Sequence, residues 1–572
     1  MNAFGKFEES IRSAENHIAL ICGTGNARVA LSYRELDRDV NSVAVQLLES
    51  GLKAGDRVLL AVPVSVQTYA IMLALLKAGM VIMFIEPAHN ARQVARILRS
   101  WPPEAILATK AVLLLRFIAP ELRRIRRRFV VDGDSAGAIP LFRIACGQRR
   151  VATQSRSDAD SALLSFTSGS TGEPKPVVRT HGFLRQQLKM LNRIAESDPG
   201  DVDFVAMPMF VLFNLANGVT SVIPACDMKK PGRANPRVVF EQLCGERANR
   251  MVASPALLAR LADYCLRRRL TLPDMTCVST GGGPVSPDLP GRIKRIAPQA
   301  LVRMVYGSTE AEPIACIDDR DVSVTAARRM RAGAGLLVGK PVRGCDVSVI
   351  RSQPGAALGP CTERSFNALK MPGGRVGEIT VSGKHVLDSY ADTSRNATTK
   401  IAVDGRTWHR TGDAGYFDEA GQLWLVGRCA AAISDSRGTV YPFQVEFALT
   451  GINGVRRAAL ISRNETRVLV IEPAGREFRS DCASAAKCVA DNHIDSIVTV
   501  RRIPMDKRHD AKIDYPTLER LLDGRWARIR LGLVETVSRV FRFSRSLSRK
   551  IICYCKFGRT ESKVDRWPLK MQ

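Results

Sequence analysis

A loop rich in hydroxyl groups and glycines follows the short apolar segment 162–164. The run from Ser165 to Lys175 reads Ser-Phe-Thr-Ser-Gly-Ser-Thr-Gly-Glu-Pro-Lys. Glycines let backbone N–H groups approach an anion, hydroxyls donate hydrogen bonds to phosphate oxygens, and a lysine adds positive charge. The candidate phosphate ligands are Thr167, Ser168, Gly169, Ser170, Thr171, Gly172 and Lys175. A flexible Ser/Gly linker is the alternative, but the Pro-Lys-Pro sequence at the end of the loop favours phosphate binding.

The loop differs from the P-loop of nucleoside triphosphatases, in which a lysine directly follows the second glycine. Here Glu173 and Pro174 separate Gly172 from Lys175. The run instead resembles the phosphate loop of the adenylate-forming superfamily, which includes acyl-CoA ligases, luciferases and the adenylation domains of peptide synthetases. Further segments between residues 280 and 514 resemble motifs of that superfamily in the same order.

Adenylation of an acid requires a carboxylate to attack the α-phosphorus of ATP, although both groups are negatively charged. An enzyme must therefore neutralise the repulsion and hold the reacting groups in line. This requires a phosphate loop, a carboxylate for Mg²⁺, contacts to ribose and adenine, and a mobile cation. ATP and Mg²⁺ are the expected cofactors.

Two segments resemble the adenine and metal motifs of the superfamily. The sequence Tyr-Gly-Ser-Thr-Glu at 306–310 is similar to its Tyr-Gly-x-Thr-Glu motif. The resemblance implies that Tyr306 stacks on adenine, that Thr309 contacts the α-phosphate, and that Glu310 binds Mg²⁺. Upstream, Gly281, Gly282 and Gly283 resemble the glycine loop that lets adenine approach the backbone.

Two later segments resemble the ribose and lysine motifs. The sequence His-Arg-Thr-Gly-Asp at 409–413 implies that Asp413 accepts hydrogen bonds from both ribose hydroxyls. Arg428 follows in a Gly-Arg pair that resembles the interdomain hinge, and it would also bind the ribose. The segment 503–514 resembles the one that carries the catalytic lysine, here Lys512, whose compact charge sits on a flexible stem.

Within the superfamily, segments that together cover most of residues 17–522 resemble the olefin β-lactone synthetases, notably 207–214 and 508–513. That family activates a long-chain β-hydroxy acid with ATP, and the β-hydroxyl then closes on the acyl-adenylate to give a β-lactone and AMP. The apolar side chains that would line an acyl pocket are Met207, Met209, Phe210, Leu212 and Phe213. The alternative is a fatty acyl-CoA ligase, and CoA is an expected cofactor only for this alternative. A non-catalytic relative is the third candidate.

Some residues depart from the superfamily pattern. Cys429 to Ile433 lack the acidic residues that such ligases often carry near the hinge. Pro176 stands where a glycine is usual, so one backbone donor to phosphate is missing. His181 and His509 are candidate general bases for a hydroxyl, although a single histidine is more often structural.

The chain of 572 residues has 45% hydrophobic residues and is long enough for more than one domain. Apolar segments at 58–62 and 81–85 flank a helical segment at 67–77, a β-α-β rhythm typical of a parallel sheet rather than of a membrane span. We expect an α/β fold: a large N-terminal domain of parallel and mixed sheets with covering helices, and a small, mobile C-terminal α+β domain. The predicted boundaries are 1–428 for the AMP-binding domain, 429–523 for the small lid domain and 524–572 for a basic tail.

The net charge of +28 predicts attraction to an anionic partner. Between residues 525 and 572 there are 13 Lys/Arg against 3 Asp/Glu, with apolar residues at near-helical spacing. This tail is expected to lie on an anionic membrane or an acidic protein, or to pack on the enzyme as an ordinary surface helix. Nucleic acid is not expected, because few stacking aromatics interrupt the basic residues.

From the polar N-terminal sequence we expect no signal peptide, and the 14 cysteines have no zinc-like spacing. A cytoplasmic protein with free thiols is therefore expected, with peripheral membrane contact as a possibility that the tail raises.

Overall fold

The structure is a computed structural model that describes residues 2–86, 89–142, 149–168, 174–228, 230–450, 452, 454–463, 465–474, 494–505 and 513–523. Residues 169–172 of the predicted phosphate loop, the candidate catalytic residue Lys512, the candidate base His509 and the basic tail lie outside the described residues. The side chains of Thr167 and Ser168 are also outside the description.

Strands make up the sheets of the described residues. In chain order they are β1 (Ile18–Cys22), β2 (Val29–Ser32), β3 (Arg57–Ala61), β4 (Val81–Ile85), β5 (Ala105–Ala108), β6 (Arg127–Val130), β7 (Ile139–Pro140), β8 (Ser161–Ser168), β9 (Pro174–Thr180), β10 (Val202–Val205), β11 (Thr220–Ile223), β12 (Arg250–Ala253), β13 (Cys277–Gly281), β14 (Leu301–Ser308), β15 (Ala311–Asp318), β16 (Leu336–Pro341), β17 (Asp346–Ile350), β18 (Gly377–Ser382), β19 (Lys400–Val403), β20 (Arg406–Phe417), β21 (Leu423–Arg428), β22 (Ile433–Asp435), β23 (Gly438–Val440), β24 (Val455–Arg463), β25 (Thr466–Pro473) and β26 (Ser496–Thr499).

Helices cover these sheets. They are α1 (Gly5–Ser13), α2 (Tyr33–Glu49), α3 (Val66–Lys77), α4 (Ala91–Ser100), α5 (Lys110–Leu114), α6 (Pro120–Arg123), α7 (His181–Ala195), α8 (Met209–Leu215), α9 (Pro236–Gly245), α10 (Pro255–Arg268), α11 (Leu289–Ile296), α12 (Val324–Arg331), α13 (Glu363–Leu369), α14 (Asn396–Thr399), α15 (Pro442–Ala448) and α16 (Tyr515–Asp523).

A seven-stranded sheet has the order β7-β6-β5-β3-β4-β8-β9. All its neighbours pair in parallel except β8 and β9, which form an antiparallel pair at one edge. Helix α3 begins at a capping box, in which Ser65 and Thr68 exchange side-chain and backbone hydrogen bonds. Because α3 is buried almost throughout, it lies in the core against α2 and the sheet, as the β-α-β rhythm predicted.

A fourteen-stranded mixed sheet has the order β17-β18-β20-β21-β16-β15-β14-β13-β12-β10-β11-β1-β2, with β19 paired to β20. On one face of its parallel part, Phe204, Met251, Val278 and Val302 form a core with α9, α10 and α11. Since side chains alternate along a strand, the residues between them point to the opposite face. That second face carries polar residues and matters for the site described below.

The fourteen-stranded sheet ends in sequence at Arg428, the last residue of β21. The chain then continues into a β22–β23 hairpin, helix α15, the three-stranded sheet β24-β25-β26, and helix α16. Two small apolar clusters centred on β24 and β25 form the core of this unit. The fold is thus a mixed α/β protein with a large N-terminal part and a smaller C-terminal part; the exact domain boundaries stay a prediction.

Two segments combine different local structures. In the basic run 123–128, α6 ends at Arg123 and β6 begins at Arg127. In the Gly- and Pro-rich segment 353–375, Thr362 caps the short helix α13. Across the described ranges, no helix is both long enough and apolar enough to cross a bilayer.

Candidate active site

Four strands bring the motif residues of the sequence to one edge of the large sheet. Gly281 ends β13, Tyr306 lies near the end of β14, and Asp413 and Arg428 face each other as register partners on β20 and β21. A Cβ atom at Gly281 would lie 2.5 Å from the Val305 carbonyl oxygen, so only glycine allows β13 and β14 to approach this closely. The carboxyl edge of parallel strands is where open α/β sheets bind ligands.

Asp413 is held by two donors. The Tyr306 hydroxyl donates to Asp413 Oδ2 at 2.7 Å, and Arg428 Nη1 lies 3.1 Å from Asp413 Oδ1. Arg428 also donates to the Thr411 carbonyl oxygen at 3.0 Å. The charge of Asp413 raises the pKa of Arg428, and burial raises the pKa of Tyr306 well above its ordinary value. The motif segments therefore form one hydrogen-bonded unit.

Glu310 lies in the turn between β14 and β15, and Tyr390 fixes its orientation. The Tyr390 hydroxyl donates to Glu310 Oε1 at 2.6 Å, and the Leu387 N–H donates to the Glu310 carbonyl oxygen at 2.7 Å. Burial acts to raise the pKa of Glu310, but the neighbouring His409, then the hydrogen bond from Tyr390 and the nearby Lys400, lower it, so that this pKa lies below its ordinary value. Glu310 is therefore a buried, ionised carboxylate.

Lys400 and His409 surround this carboxylate. Lys400 donates to the Leu387 carbonyl oxygen, and burial lowers its pKa to about 8. His409 Nδ1 lies 3.2 Å from the Thr399 carbonyl oxygen, and burial lowers the pKa of His409 to about 3. The imidazole is therefore neutral near pH 7, and Lys400 carries the positive charge of this pair.

Glu310 suits a magnesium ion that is held mainly by its nucleotide. Among the described residues, no group of three or more His, Cys, Asp or Glu side chains could form a metal site by itself. Mg²⁺ commonly takes one or two protein carboxylates and completes its shell with waters and phosphate oxygens. A single hard oxygen ligand fits that pattern, and a bound Mg²⁺ would supply charge neutralisation on the phosphates.

Lys175 and Arg179 lie on β9, the strand that leaves the phosphate loop. Burial lowers the pKa of Lys175, and the neighbouring Arg395 adds to the effect while Glu310 opposes it. Arg179 Nη2 donates to the Thr309 carbonyl oxygen at 3.2 Å, and its Nη1 lies 3.4 Å from Ser165 Oγ. Arg179 thus connects the strand before the phosphate loop to the turn that carries Glu310. Pro176 pairs with Phe166 across β8 and β9.

The edge of the large sheet that carries Gly281, Tyr306, Asp413 and Arg428 is called the motif edge below. A cavity reaches this edge and is lined by helices α7 and α8 and by strands β10, β12, β13, β14 and β15. Of the apolar residues proposed for an acyl pocket, Met207, Phe210 and Phe213 line it. Met209 is 44% exposed and Leu212 packs against the core of the seven-stranded sheet, so neither is among the lining residues. Residues three and four apart share a helix face, which brings Phe210, Phe213 and Asn214 to the cavity together.

His181 begins α7 and has a structural environment. It is fully buried, its Nδ1 accepts from the Ala3 N–H at 3.1 Å, and burial lowers its pKa to about 4. The ring therefore anchors the N-terminal segment of the chain, which favours the structural alternative over a role as general base. Tyr390, Lys400 and Arg179 were missed by sequence reasoning, because each is a single polar residue outside any recognisable run.

Residues 7–391 match the family model of the AMP-binding enzyme family, which is more than half of the chain. The chain belongs to this family, whose members form adenylates, and it is an adenylate-forming ligase that binds ATP and a carboxylic acid.

Individual relatives define the resemblance further. Olefin β-lactone synthetase of Stenotrophomonas maltophilia is 33% identical over 545 residues, covering 90% of this chain and 96% of that protein. Putative acyl-CoA ligase YdaB of Bacillus subtilis is 26% identical, covering 75% of this chain and 81% of that protein. Among solved structures, amide bond synthetase McbA from Marinactinospora thermotolerans has a TM-score of 0.74 at 20% identity, covering 91% of this chain and 99% of that one. The structural match supports the fold.

Proposed function

We propose that this ligase activates a β-hydroxy carboxylic acid as its acyl-adenylate, and that the β-hydroxyl then closes on the carbonyl to give a β-lactone. The observation that carries the proposal is the 33% identity to an olefin β-lactone synthetase along 90% of the chain. The cavity beside the motif edge supports it, because Met207, Phe210 and Phe213 offer an apolar wall to an acyl chain.

In the first step, a carboxylate oxygen of the acid bonds to the α-phosphorus, and pyrophosphate leaves with the electron pair of the broken P–O bond. Lys175 is proposed to counter the charge on the phosphates, and Asp413 to accept hydrogen bonds from the ribose. Glu310 would hold the magnesium ion. Thr309 is proposed to contact the α-phosphate, and Tyr306 and the glycines 281–283 to contact adenine.

In the second step, the β-hydroxyl oxygen bonds to the carbonyl carbon, the bond from that carbon to AMP breaks, and the hydroxyl proton passes to solvent. The nucleophile belongs to the same molecule, so its effective concentration is high and no second substrate is required. A fatty acyl-CoA ligase, supported by the similarity to a putative acyl-CoA ligase, is the second candidate.

Product analysis separates the two candidates. The enzyme is incubated with ATP, Mg²⁺ and a β-hydroxy acid without CoA, and the products are identified by mass spectrometry. We expect a β-lactone and AMP in equal amounts, and only the adenylate from the matched acid that lacks the β-hydroxyl. AMP release that begins only when CoA is added would contradict lactone formation and support the ligase.

Lys512 is proposed to bring the mobile positive charge to the carboxylate and the α-phosphate. The Lys512→Ala variant should lose roughly 100-fold or more of the ATP–pyrophosphate exchange rate, as expected when a transition-state charge contact is removed. Lys507→Ala, in the same segment, is the matched control and should retain the parent rate. Equal rates for Lys512→Ala and the parent would overturn this role.

We also propose that the basic tail, residues 524–572, brings a cytoplasmic enzyme to an anionic membrane surface, with an acidic protein as the alternative partner. Its 13 Lys/Arg against 3 Asp/Glu between 525 and 572 support attraction to anionic lipid. The full chain should sediment with vesicles containing phosphatidylserine but not with neutral vesicles. Replacing Arg542, Arg545 and Arg549 by Glu should abolish sedimentation, and sedimentation that survives would exclude the tail as the contact.

A further inference from the structure

Four large apolar side chains are exposed together on the connection between β5 and β6. Helix α5 ends at Leu114, and a single 3₁₀ turn follows over Leu115–Phe117. Residues 114–118 are called the apolar turn below, and all of them except Arg116 are apolar and exposed: Leu114 by 51%, Leu115 by 45%, Phe117 by 63% and Ile118 by 79%. Elsewhere in the described ranges, exposed large apolar side chains stand at separated positions, as Val324 does. Single exposed apolar residues are ordinary, whereas a local cluster indicates an interaction surface.

Arginines lie beside the apolar turn. Arg116 Cζ lies 4.7 Å from the centroid of the Phe117 ring, over its face. Arg123 Nη2 donates to the Phe117 carbonyl oxygen at 3.1 Å, and Arg128 Nη2 donates to the Arg123 carbonyl oxygen at 2.8 Å. Burial, together with the nearby charge of Arg116, lowers the pKa of Arg128. Three positive charges are therefore held close to one another and to the exposed apolar side chains.

The excess of positive charge extends over the whole connection. Residues 110–128 contain seven Lys/Arg against one acidic residue, Glu121. This carboxylate is already paired, because Arg99 Nε lies 3.3 Å from its Oε1. Arg124 and Arg126 are exposed and form no ion pair within the part of the chain that the structure describes. Like charges at this density repel one another, and an anionic partner would offset that repulsion.

The two properties together select the kind of partner. Basic residues beside exposed aromatic and aliphatic side chains suit an anionic membrane, where apolar groups enter the acyl region and arginines bind lipid phosphate. The basic tail, residues 524–572, or a second copy of this chain would set positive charge against positive charge. A stable protein partner would bury about 800 Å² of this surface. Insertion into a membrane needs no complementary surface of that size, so a single turn is sufficient.

We propose that the apolar turn inserts into the surface of an anionic membrane while the arginines beside it bind lipid phosphates. Stable attachment of a peripheral protein takes two signals. The contact proposed for the tail supplies electrostatic attraction, and the apolar turn supplies insertion from a different part of the chain. The inference is independent of the acid that the enzyme activates and of the product that it forms.

Insertion is tested with Phe117→Trp in the full chain. The variant and the parent are mixed with vesicles of phosphatidylcholine and phosphatidylserine, with and without bromine on the acyl chains. Bromine quenches a tryptophan that enters the acyl region, and the parent provides the signal of its own five tryptophans. We expect the fluorescence added at position 117 to be quenched. Val324→Trp, at an isolated side chain that is 77% exposed, is the matched control and should stay unquenched.

A second variant removes the apolar groups and keeps the charge. Phe117→Gln combined with Ile118→Gln should reduce binding of the full chain to the anionic vesicles at least about 10-fold, because two apolar side chains no longer leave water on binding. Its melting temperature should match that of the parent, since both side chains are exposed. Val324→Gln should sediment with the vesicles like the parent.

The outcomes distinguish the apolar turn from the tail. If the tryptophan at position 117 is not quenched, or if the double Gln variant sediments like the parent, insertion is excluded and the tail contact stands by itself. If the variant with Glu at 542, 545 and 549 still sediments while the double Gln variant does not, the apolar turn is the contact and the tail is excluded. A parent that does not bind anionic vesicles overturns both contacts and leaves an acidic protein as the partner.

Discussion

The motif edge and the inner wall of the cavity contain similar polar groups but differ in how those groups are paired. At the motif edge, Tyr306 and Arg428 both bond to Asp413, and Tyr390 bonds to Glu310. The inner wall is the strand face of the cavity that carries Asp203, Arg250 and Arg303, and there Asp203 and Arg303 each keep one atom without a partner among the described residues. The polar groups of the first region are therefore paired with one another within the protein, whereas those of the second are paired only in part.

The two regions therefore differ in their effect on the stability of the protein without a ligand. A paired buried group contributes to stability, and its loss leaves the partner unsatisfied. An unpaired buried group lowers stability, and natural proteins tolerate that cost chiefly where function requires it. Substitutions at the motif edge should therefore damage both stability and activity, while substitutions in the inner wall should damage substrate preference and spare or improve stability.

The largest expected effect is at Glu310. Glu310→Gln keeps the acceptor for Tyr390 but removes the negative charge proposed to bind Mg²⁺, so ATP–pyrophosphate exchange at saturating ATP should fall roughly 100- to 1,000-fold. The exposed Glu419→Gln is the control and should retain the parent rate. A Glu310→Gln enzyme that responds to Mg²⁺ concentration like the parent would show that this edge is organised for something other than a metal-bound nucleotide.

The second effect is a pH dependence of stability at Asp203. Its pKa is about 6 in the folded chain because of burial, above the ordinary 3.8, so the folded state binds more protons between these values. Its stabilising contribution is therefore complete below about pH 4 and is lost as the pH rises through about 6. Asp203→Asn removes this loss of stability. Above pH 7 the free energy of unfolding of the variant should therefore exceed that of the parent by up to about 3 kcal/mol.

Thermal melting at a series of pH values checks this. The melting temperature of Asp203→Asn should exceed that of the parent at pH 8, and the difference should shrink as the pH falls toward 4. Asp274→Asn, at an exposed position, should track the parent at every pH. A constant difference between Asp203→Asn and the parent would mean that the folded state does not raise the pKa of Asp203, and the contrast between the two regions would then be lost.

The motif edge could be predicted from the sequence because its residues come in short consecutive runs. The run 306–310 covers the end of a strand and the following turn, and the pair Asp413 and Arg428 is brought together by one hairpin. Residues of such a run are close together in the chain, so residue type and spacing are enough to predict that they lie together in the structure. The alternating apolar and helical segments at 58–85 predicted the first β-α-β unit for the same reason.

The inner wall could not be predicted in this way. Asp203, Arg250 and Arg303 are single polar residues in apolar strands, and only the register of the sheet shows that they share a face. The acyl pocket was only partly predicted, because the run 207–213 gives hydrophobic residues but not the rotation of the short helix α8. That rotation turns Met209 to solvent and brings Asn214, which composition alone would not have selected, to the cavity.

The smallest expected effect compares a buried hydroxyl that has a partner with one that has none. Tyr306→Phe removes a hydroxyl that donates to Asp413, whereas Thr280→Val removes one that has no partner among the described residues. A typical buried hydrogen bond contributes about 1 kcal/mol, so Tyr306→Phe should lower the melting temperature by a few degrees at most. Thr280→Val replaces an unsatisfied atom with a methyl group of similar size and should leave the melting temperature unchanged or raise it.

Both variants are compared in one thermal series with and without ATP and Mg²⁺. The Tyr306 hydroxyl lies at the motif edge, where the nucleotide is proposed to bind. Tyr306→Phe should therefore also reduce the stabilisation that ATP confers, and Thr280→Val should not. Thr380→Val, which loses a hydrogen bond to the Ser348 carbonyl oxygen, calibrates the cost of removing a paired hydroxyl from a buried threonine. If Thr280→Val melts as low as Thr380→Val, the Thr280 hydroxyl is already satisfied in the free protein, and its contrast with the Tyr306 hydroxyl is lost.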